Sequence, residues 1–143
     1  ISSCDLAYSS SRAKYATPGV NIGLFCSTPM VPLSRTVGKK QAMEMLLTGD
    51  LIDANKALRI GLINDVFEED SLKENVFQIA KKISSKSSNT IKIGKEAFYK
   101  QKDMNLEDAY TFTSKVMTEN MLHDDSKEGI DAFLEKREPN WKE

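Results

Sequence analysis

The side chains that most often serve as nucleophiles, general bases or zinc ligands are scarce in this sequence, which holds one histidine and two cysteines. Cys4 and Cys26 form no CxxC pair and have no histidine nearby, which argues against a zinc site and against a disulfide framework. His123 lies far along the chain, so a nucleophilic Cys26 has no local support, and the role of a buried small apolar residue is favoured. No metal site is predicted.

Carboxylates and glycines near turns are the next candidates. Asp50 and Asp53 flank a turn, where a carboxylate usually caps a helix, and this interpretation is favoured over an active-site role. Pro18 and Gly19 form a dipeptide typical of a turn. From local pattern alone, Gly19 is a turn residue and nothing more.

Composition excludes several classes of partner. The chain has 20 basic and 21 acidic residues, interspersed, with a formal net charge of -1, so no basic face attracts nucleic acid. No apolar run approaches the ~18 residues of a membrane span. The chain begins at Ile1 with an apolar segment that is typical of the inside of a domain, and we expect a longer parent whose N-terminal part precedes it.

The elements that must position any site are predicted to be α/β early and all-α late. Short strands are expected near 6–8, 14–17 and 62–67, with a serine-rich turn at 9–11 and a loop or single helical turn over 20–32. Apolar spacing, with caps at Asp53 and Asn105 and glycine stops at Gly49 and Gly61, predicts the helices. They span 39–47, 54–59, 72–83, 91–101, 106–122 and 126–136.

Two apolar groups on these helices are interpreted as core or subunit interface. The first is the cluster of Met43, Met45 and Leu46, and the second is a stripe on the helix that begins at residue 106. His123 follows that helix, where a histidine favours the negative end of the helix dipole. The stripe consists of Tyr110, Phe112 and Val116.

Five segments of the chain follow a known arrangement when taken in order, and they are 4–7, 15–24, 42–49, 54–63 and 128–137. The most specific run is LLTGDLIDANKALRIGLIN at 46–64, which has the apolar and glycine positions of a helix, turn, short helix and strand. Together these segments resemble the second half of a crotonase-superfamily (enoyl-CoA hydratase/isomerase) subunit. The resemblance implies an α/β crotonase-like (ClpP/crotonase) fold, N-terminally truncated, with residues 1–88 as the C-terminal part of the core. Residues 89–143 would form a helical trimerisation region that also covers the coenzyme A.

The resemblance also implies a chemistry and one departure from it. Family hydratases polarise the thioester carbonyl with two backbone N–H groups and add water with a pair of glutamates. The oxyanion hole and one glutamate would lie before Ile1. The other glutamate directly follows the proline of a Pro-Glu motif, and here that position is Gly19. Because glycine carries no proton, ordinary enoyl-CoA hydration is in doubt and no catalytic residue is predicted in the chain.

Substrate contacts implied by the resemblance involve four residues. Gly19 and Cys26 would line the acyl pocket, and the softer Met117 would replace an aromatic side chain near the nucleotide. Lys136, in the Glu-Lys-Arg motif, would reach the coenzyme A phosphates as a point charge, often those of a neighbouring subunit. The acyl-CoA thioester is the expected substrate and partner, and no separate cofactor is predicted.

Two functions stay open at this point. The first is an acyl-CoA enzyme of fatty-acid metabolism, a hydratase (lyase class) or isomerase. The second is a non-catalytic coenzyme A-binding or oligomerisation protein, which the glycine at position 19 favours where hydration is concerned. The resemblance further implies a homotrimer or hexamer in the mitochondrial matrix.

Overall fold

Residues 1–142 are described by the computed structural model, and they alternate short strands with helices before ending in a run of helices. The strands are β1 (Tyr8–Ser10), β2 (Lys14–Tyr15), β3 (Ile52–Asp53) and β4 (Asp65–Phe67). A 3₁₀-helix spans Pro18–Ile22. The helices are α1 (Ser27–Thr36), α2 (Lys39–Thr48), α3 (Ala54–Arg59), α4 (Glu69–Ser84), α5 (Ser88–Gln101), α6 (Leu106–Met121) and α7 (Asp124–Glu135).

Contacts divide the chain into two compact units, Ile1–Ile79 and Ala80–Glu143. The predicted division at residue 88 described a family core and an oligomerisation region, and it stays a prediction. The first unit holds both small sheets and the apolar core. That core consists of Leu33, Val37, Ala42, Met45, Leu46, Ile52, Ala57, Leu62 and Ile63.

Helix α2 shows why this core forms. Ala42, Met45 and Leu46 are spaced so that they share one helix face, and all three are buried, whereas Met43 is 40% exposed. Gly49 ends the helix in the left-handed region at φ 67°, and its N–H donates to the carbonyl of Met45 at 3.1 Å. The predicted helix and its glycine stop are confirmed.

Helix α3 also begins and ends as predicted. The Asp53 carboxylate accepts the Lys56 N–H at 2.7 Å, which satisfies one of the free donors of the first turn. Gly61 follows the helix at φ 78°. The favoured capping role of Asp53 is therefore confirmed.

The strand predicted at 14–17 is present as β2, and the other predicted strands differ in position. β1 pairs with β4 in parallel, with Ser9 opposite Val66, and β2 pairs with β3 antiparallel. The predicted strand at 6–8 and turn at 9–11 are wrong, because Ser9 lies in β1, buried, where its hydroxyl oxygen accepts the Tyr15 hydroxyl at 2.5 Å. The strand predicted at 62–67 is limited to β4, since buried Leu62 precedes it without pairing.

Residues 20–32 are the largest error of the sequence analysis. Its two prolines and one glycine predicted a loop or single turn, but the segment contains most of the 3₁₀-helix and the start of the ten-residue helix α1. Pro29 lies in the first turn of α1, where its missing N–H costs little, and Pro32 lies inside the helix. Burial of Leu33 against the core outweighs the low helix propensity.

The second unit is held together around a buried carboxylate. Asp125, 2% exposed, accepts the Ser87 hydroxyl at 2.5 Å, and the Ser87 oxygen also caps α5 by accepting the Thr90 N–H at 3.0 Å. The Trp141 indole donates to the Ser85 carbonyl at 2.9 Å. These bonds join the start of α5, the start of α7 and the C-terminal segment. They also give the buried Asp125 carboxylate a hydrogen-bond partner, without which its burial would be costly.

Large apolar side chains of α6 and α7 are exposed. The predicted stripe is not a core within this chain, because Tyr110 is 69% exposed. The alternative that it forms a subunit interface stays open. The most exposed apolar side chains of the two helices are Leu106, Tyr110, Met117, Met121, Leu122, Phe133 and Leu134.

Candidate functional site

The turn that carries Gly19 is fixed to the core helix α2. It opens at Thr17, whose buried hydroxyl donates to the Met45 carbonyl at 2.8 Å, and Pro18 begins the 3₁₀-helix at a position where no N–H is needed. Gly23 closes it at φ 78°, with its N–H donating to the Val20 carbonyl at 3.2 Å. The turn is thus held at both ends.

Gly19 has no room for a side chain. A β-carbon built on it would lie 2.6 Å from the Leu24 carbonyl oxygen and 2.8 Å from the Cys26 sulfur. The Leu24 N–H donates to the Gly19 carbonyl at 2.9 Å, so the backbone of residue 24 is tied to this position and cannot simply move away. Steric exclusion, and not backbone dihedral strain, therefore requires glycine here.

Cys26 completes the same constriction. Its sulfur accepts the Gly19 N–H at 3.3 Å, and its partly buried side chain packs against the core, as favoured from sequence. Its carbonyl accepts the Met30 N–H at 2.9 Å and so begins α1. The structure brings together the two residues predicted to line an acyl pocket, and that lining role stays a prediction.

Beside this turn lies a cavity of about 410 Å³ that sequence analysis did not reveal. Its lining mixes apolar and polar groups and includes Tyr15, Thr17, Leu33 and Met45. No local motif marks these residues, because they come from β2, the turn, α1 and α2. Within residues 1–142, no group of three side chains is placed to hold a metal ion, and no helix is long and apolar enough to cross a bilayer.

Lys136, in the second unit, has an unusual backbone conformation. Among residues 1–142 it is the one non-glycine residue with positive φ, at 54°. Its N–H donates to the Phe133 carbonyl at 3.3 Å and the Arg137 N–H donates to the Ala132 carbonyl at 3.0 Å, the two bonds of a Schellman motif. Glycine is the usual residue at this position, since a β-carbon costs roughly 1–2 kcal/mol there.

Arg137 binds two carboxylates next to this turn. Its guanidinium contacts Glu128 through both terminal nitrogens, at 2.6 and 3.0 Å, and Glu135 through Nε at 2.6 Å. The hydrogen bond from Arg137, followed by that from the Asn140 N–H, lowers the pKa of Glu128 to about 2. The same two carboxylates raise the pKa of Arg137.

Other pKa shifts come from exposed ion pairs and hydrogen bonds that do not involve Lys136. Lys142 donates to Asp124 at 3.0 Å, which lowers the pKa of Asp124 and raises that of Lys142. The Ser10 hydroxyl and then Arg12 lower the pKa of Glu69. Such exposed pairs contribute little to stability because water screens them, and we assign them no chemical role.

Two other predicted residues have simpler surroundings. Met117 is 61% exposed on α6, one turn from the similarly exposed Met121, and its predicted contact with a nucleotide stays a prediction. His123 follows the end of α6, as expected, and its N–H donates to the Asn120 carbonyl at 3.1 Å, while its interaction with the helix dipole stays a prediction. It is the N-cap of α7, where its Nδ1 accepts the Asp125 N–H at 3.3 Å, and a neutral imidazole nitrogen can act there as the usual oxygen acceptor does.

Comparison with known proteins shows a consistent likeness. The sequence profile described as Enoyl-CoA hydratase/isomerase matches residues 1–143. The mouse protein named enoyl-CoA hydratase domain-containing protein 3, mitochondrial, is 50% identical over 141 residues, which are 99% of this chain and 47% of the mouse protein. The mitochondrial enoyl-CoA hydratase of Pongo abelii is 36% identical over 98% of this chain and 49% of its own length.

Solved structures agree with these matches. A crystal structure of human enoyl coenzyme A hydratase domain-containing protein 3 superimposes with a TM-score of 0.94 at 49% identity, over 98% of this chain and 55% of that one. An enoyl-CoA hydratase from Mycobacterium smegmatis gives 0.95 at 42% identity over the same shares. The predicted α/β crotonase-like fold is confirmed. The chain spans about half the length of the curated relatives it matches.

Adding one methyl group at position 19 should destabilise the protein. We expect Gly19→Ala to lower the free energy of unfolding by about 1–3 kcal/mol, because the Leu24 carbonyl and the Cys26 sulfur must move. The matched control is Gly94→Ala in α5, where a β-carbon meets open space and should stabilise by roughly 0.5–1 kcal/mol. Urea unfolding of the full-length protein measures both, and equal effects of the two substitutions would refute the constriction.

Replacing Lys136 by glycine should stabilise the end of α7. The left-handed conformation is free of steric cost for glycine, so we expect Lys136→Gly to raise the free energy of unfolding by about 1 kcal/mol. Lys136→Ala, which keeps the β-carbon and removes the charge, serves as the control and should give no such gain. A stabilisation of the same size in both variants would show that the charge, and not the backbone, is responsible.

Proposed function

The chain belongs to the enoyl-CoA hydratase/isomerase family, and from this premise we propose that the full-length protein binds an acyl-CoA thioester without hydrating it through paired glutamates. The observation that carries this proposal is the constriction at Gly19, where a β-carbon would lie 2.6 Å from a backbone oxygen. The sequence lacks a carboxylate at this position, and the fold leaves no space for one.

Hydration is the reaction that this arrangement disfavours most. Water must lose a proton as it attacks and the product must gain one, and a positioned acid/base group typically accelerates such a step by about 10²–10⁴. Gly19 offers only a backbone N–H, which it donates to Cys26. The Cys26 sulfur accepts that bond, and among residues 1–142 no histidine lies nearby in sequence to activate it.

Binding of the thioester does not depend on the missing carboxylate. We propose that an oxyanion hole outside this chain would hold the thioester carbonyl, and that Gly19 and Cys26 would line the pocket within it. Lys136 would supply a positive charge for the phosphates. A reaction that adds no water, such as movement of a double bond, is compatible with the same binding groups. Its product would be detected by chromatography.

Assembly and location complete the proposal. We propose that the exposed apolar side chains of α6 and α7 form the contacts of a homotrimer or hexamer, since large exposed apolar patches usually mark interaction surfaces. Relatives that are 50% and 49% identical to this chain over 141 aligned residues are named mitochondrial proteins. We therefore propose that the protein acts in the mitochondrial matrix, in fatty-acid metabolism.

The full-length protein should bind butyryl-CoA in a calorimeter and leave crotonyl-CoA unhydrated. The loss of enoyl absorbance should be at least about 100-fold slower than for the Mycobacterium smegmatis enoyl-CoA hydratase assayed in parallel, because one acid/base group is missing. Chromatography of the reaction mixture would detect an isomerised product. Rapid hydration would contradict the role given to Gly19, and an absence of calorimetric binding would contradict the acyl-CoA proposal itself.

A further inference from the structure

The surroundings of Lys136 assign a role to its neighbour. We propose that Arg137 is a positioning residue that keeps the Lys136 ammonium available for a phosphate of the ligand, by engaging the two nearby carboxylates, Glu128 and Glu135. This inference rests on the proposed function, since it takes an acyl-CoA as the ligand. It adds a residue that would act on the ligand only through Lys136.

The carboxylates near Lys136 are engaged by another residue. Glu135 is adjacent to Lys136 in the chain and would be its natural partner, but its carboxylate accepts Arg137 Nε at 2.6 Å. Glu128 is engaged by both terminal nitrogens of the same guanidinium. Within residues 1–142, Lys136 itself makes no ion pair. One arginine thus holds two acids and leaves the adjacent exposed lysine with an unneutralised charge.

Hydrogen bonds hold the turn at the end of α7 in place. Glu128 Oε1 also accepts the Asn140 N–H at 2.7 Å, so the segment after α7 is tied back to the side of the helix. The bidentate contact between Arg137 and Glu128 is the geometry that fixes a guanidinium in both distance and plane. These bonds hold residues 137 to 140 in place and with them the left-handed conformation of Lys136.

Position 136 holds a lysine in a backbone conformation where glycine would be less strained. A residue in a sparsely populated conformation persists only where its surroundings impose it, and such residues concentrate at ligand contacts. The backbone at residue 136 would accept glycine without strain. The feature that lysine adds at this position is therefore its charged side chain. An exposed ammonium on a fixed turn, with Glu128 and Glu135 already paired to Arg137, is suited to a phosphate or pyrophosphate group.

The test compares two ligands that carry the same thioester. Butyryl-CoA has the phosphorylated adenosine part of coenzyme A, and S-butyryl-pantetheine lacks both the phosphates and the adenosine. Calorimetry on the full-length protein should show that Lys136→Ala weakens butyryl-CoA about tenfold, the loss expected for one charge-assisted hydrogen bond. Binding of S-butyryl-pantetheine should be unchanged in this variant.

Arg137→Gln distinguishes positioning from general structural support. It retains Lys136 but frees Glu135 to neutralise it, so butyryl-CoA affinity should fall by about threefold to tenfold while S-butyryl-pantetheine binding stays at the wild-type value. Adding Glu135→Gln to this variant should recover most of the loss, because the competing carboxylate is gone. The double variant of Arg137→Gln with Lys136→Ala should be no weaker than Lys136→Ala alone.

Asp124→Asn is the matched control, since it breaks another exposed ion pair of α7, with Lys142, at the opposite end of the helix. It should leave both affinities unchanged. Three results would overturn the inference while leaving the proposed function intact: wild-type affinity for butyryl-CoA in Arg137→Gln, equal weakening of both ligands, or no recovery on adding Glu135→Gln. A wild-type protein that binds neither ligand would instead overturn the proposed function, and this inference with it.

Discussion

The close approach of the Leu24 carbonyl and the Cys26 sulfur to Gly19 is the constraint on which this account depends. It arises because Thr17 ties the turn to the core helix α2 while the Leu24 N–H returns to the Gly19 carbonyl. The chain therefore folds back on itself where the family resemblance places a glutamate. These contacts leave no space for a side chain at the position where, in the proposed function, a carboxylate would otherwise activate water.

Much of this fold could be predicted from local pattern, because its signals are contained within a few neighbouring residues. Gly49 at the end of α2 and the Asp53 cap of α3 could be predicted in this way, since each residue type is typical of the local backbone geometry that it adopts. The ten-residue helix over Pro32 could not be predicted, because its stability comes from burial against other elements. The clearance at Gly19 is likewise invisible in sequence, since it is set by the carbonyl of a residue brought close by the fold.

At the candidate site, the sequence likewise indicated which residues to consider but not their contacts or conformations. The family motif was enough to select Gly19, Cys26 and Lys136, but it contained nothing about the N–H to sulfur contact or about the left-handed conformation of the lysine. At Gly19 the fold excludes a side chain, whereas at Lys136 it keeps one at a conformational cost. These two features support the proposal that the full-length protein binds a phosphorylated thioester without hydrating it.

The most direct test of the constriction is the position of the Leu24 carbonyl in a crystal structure of the full-length Gly19→Glu variant. We predict that this carbonyl and the Cys26 sulfur move away from residue 19, because the β-carbon cannot occupy its place otherwise. The N–H to sulfur bond should then be lost. A glutamate accommodated with the backbone of residues 18–26 unchanged from the wild type would contradict the account.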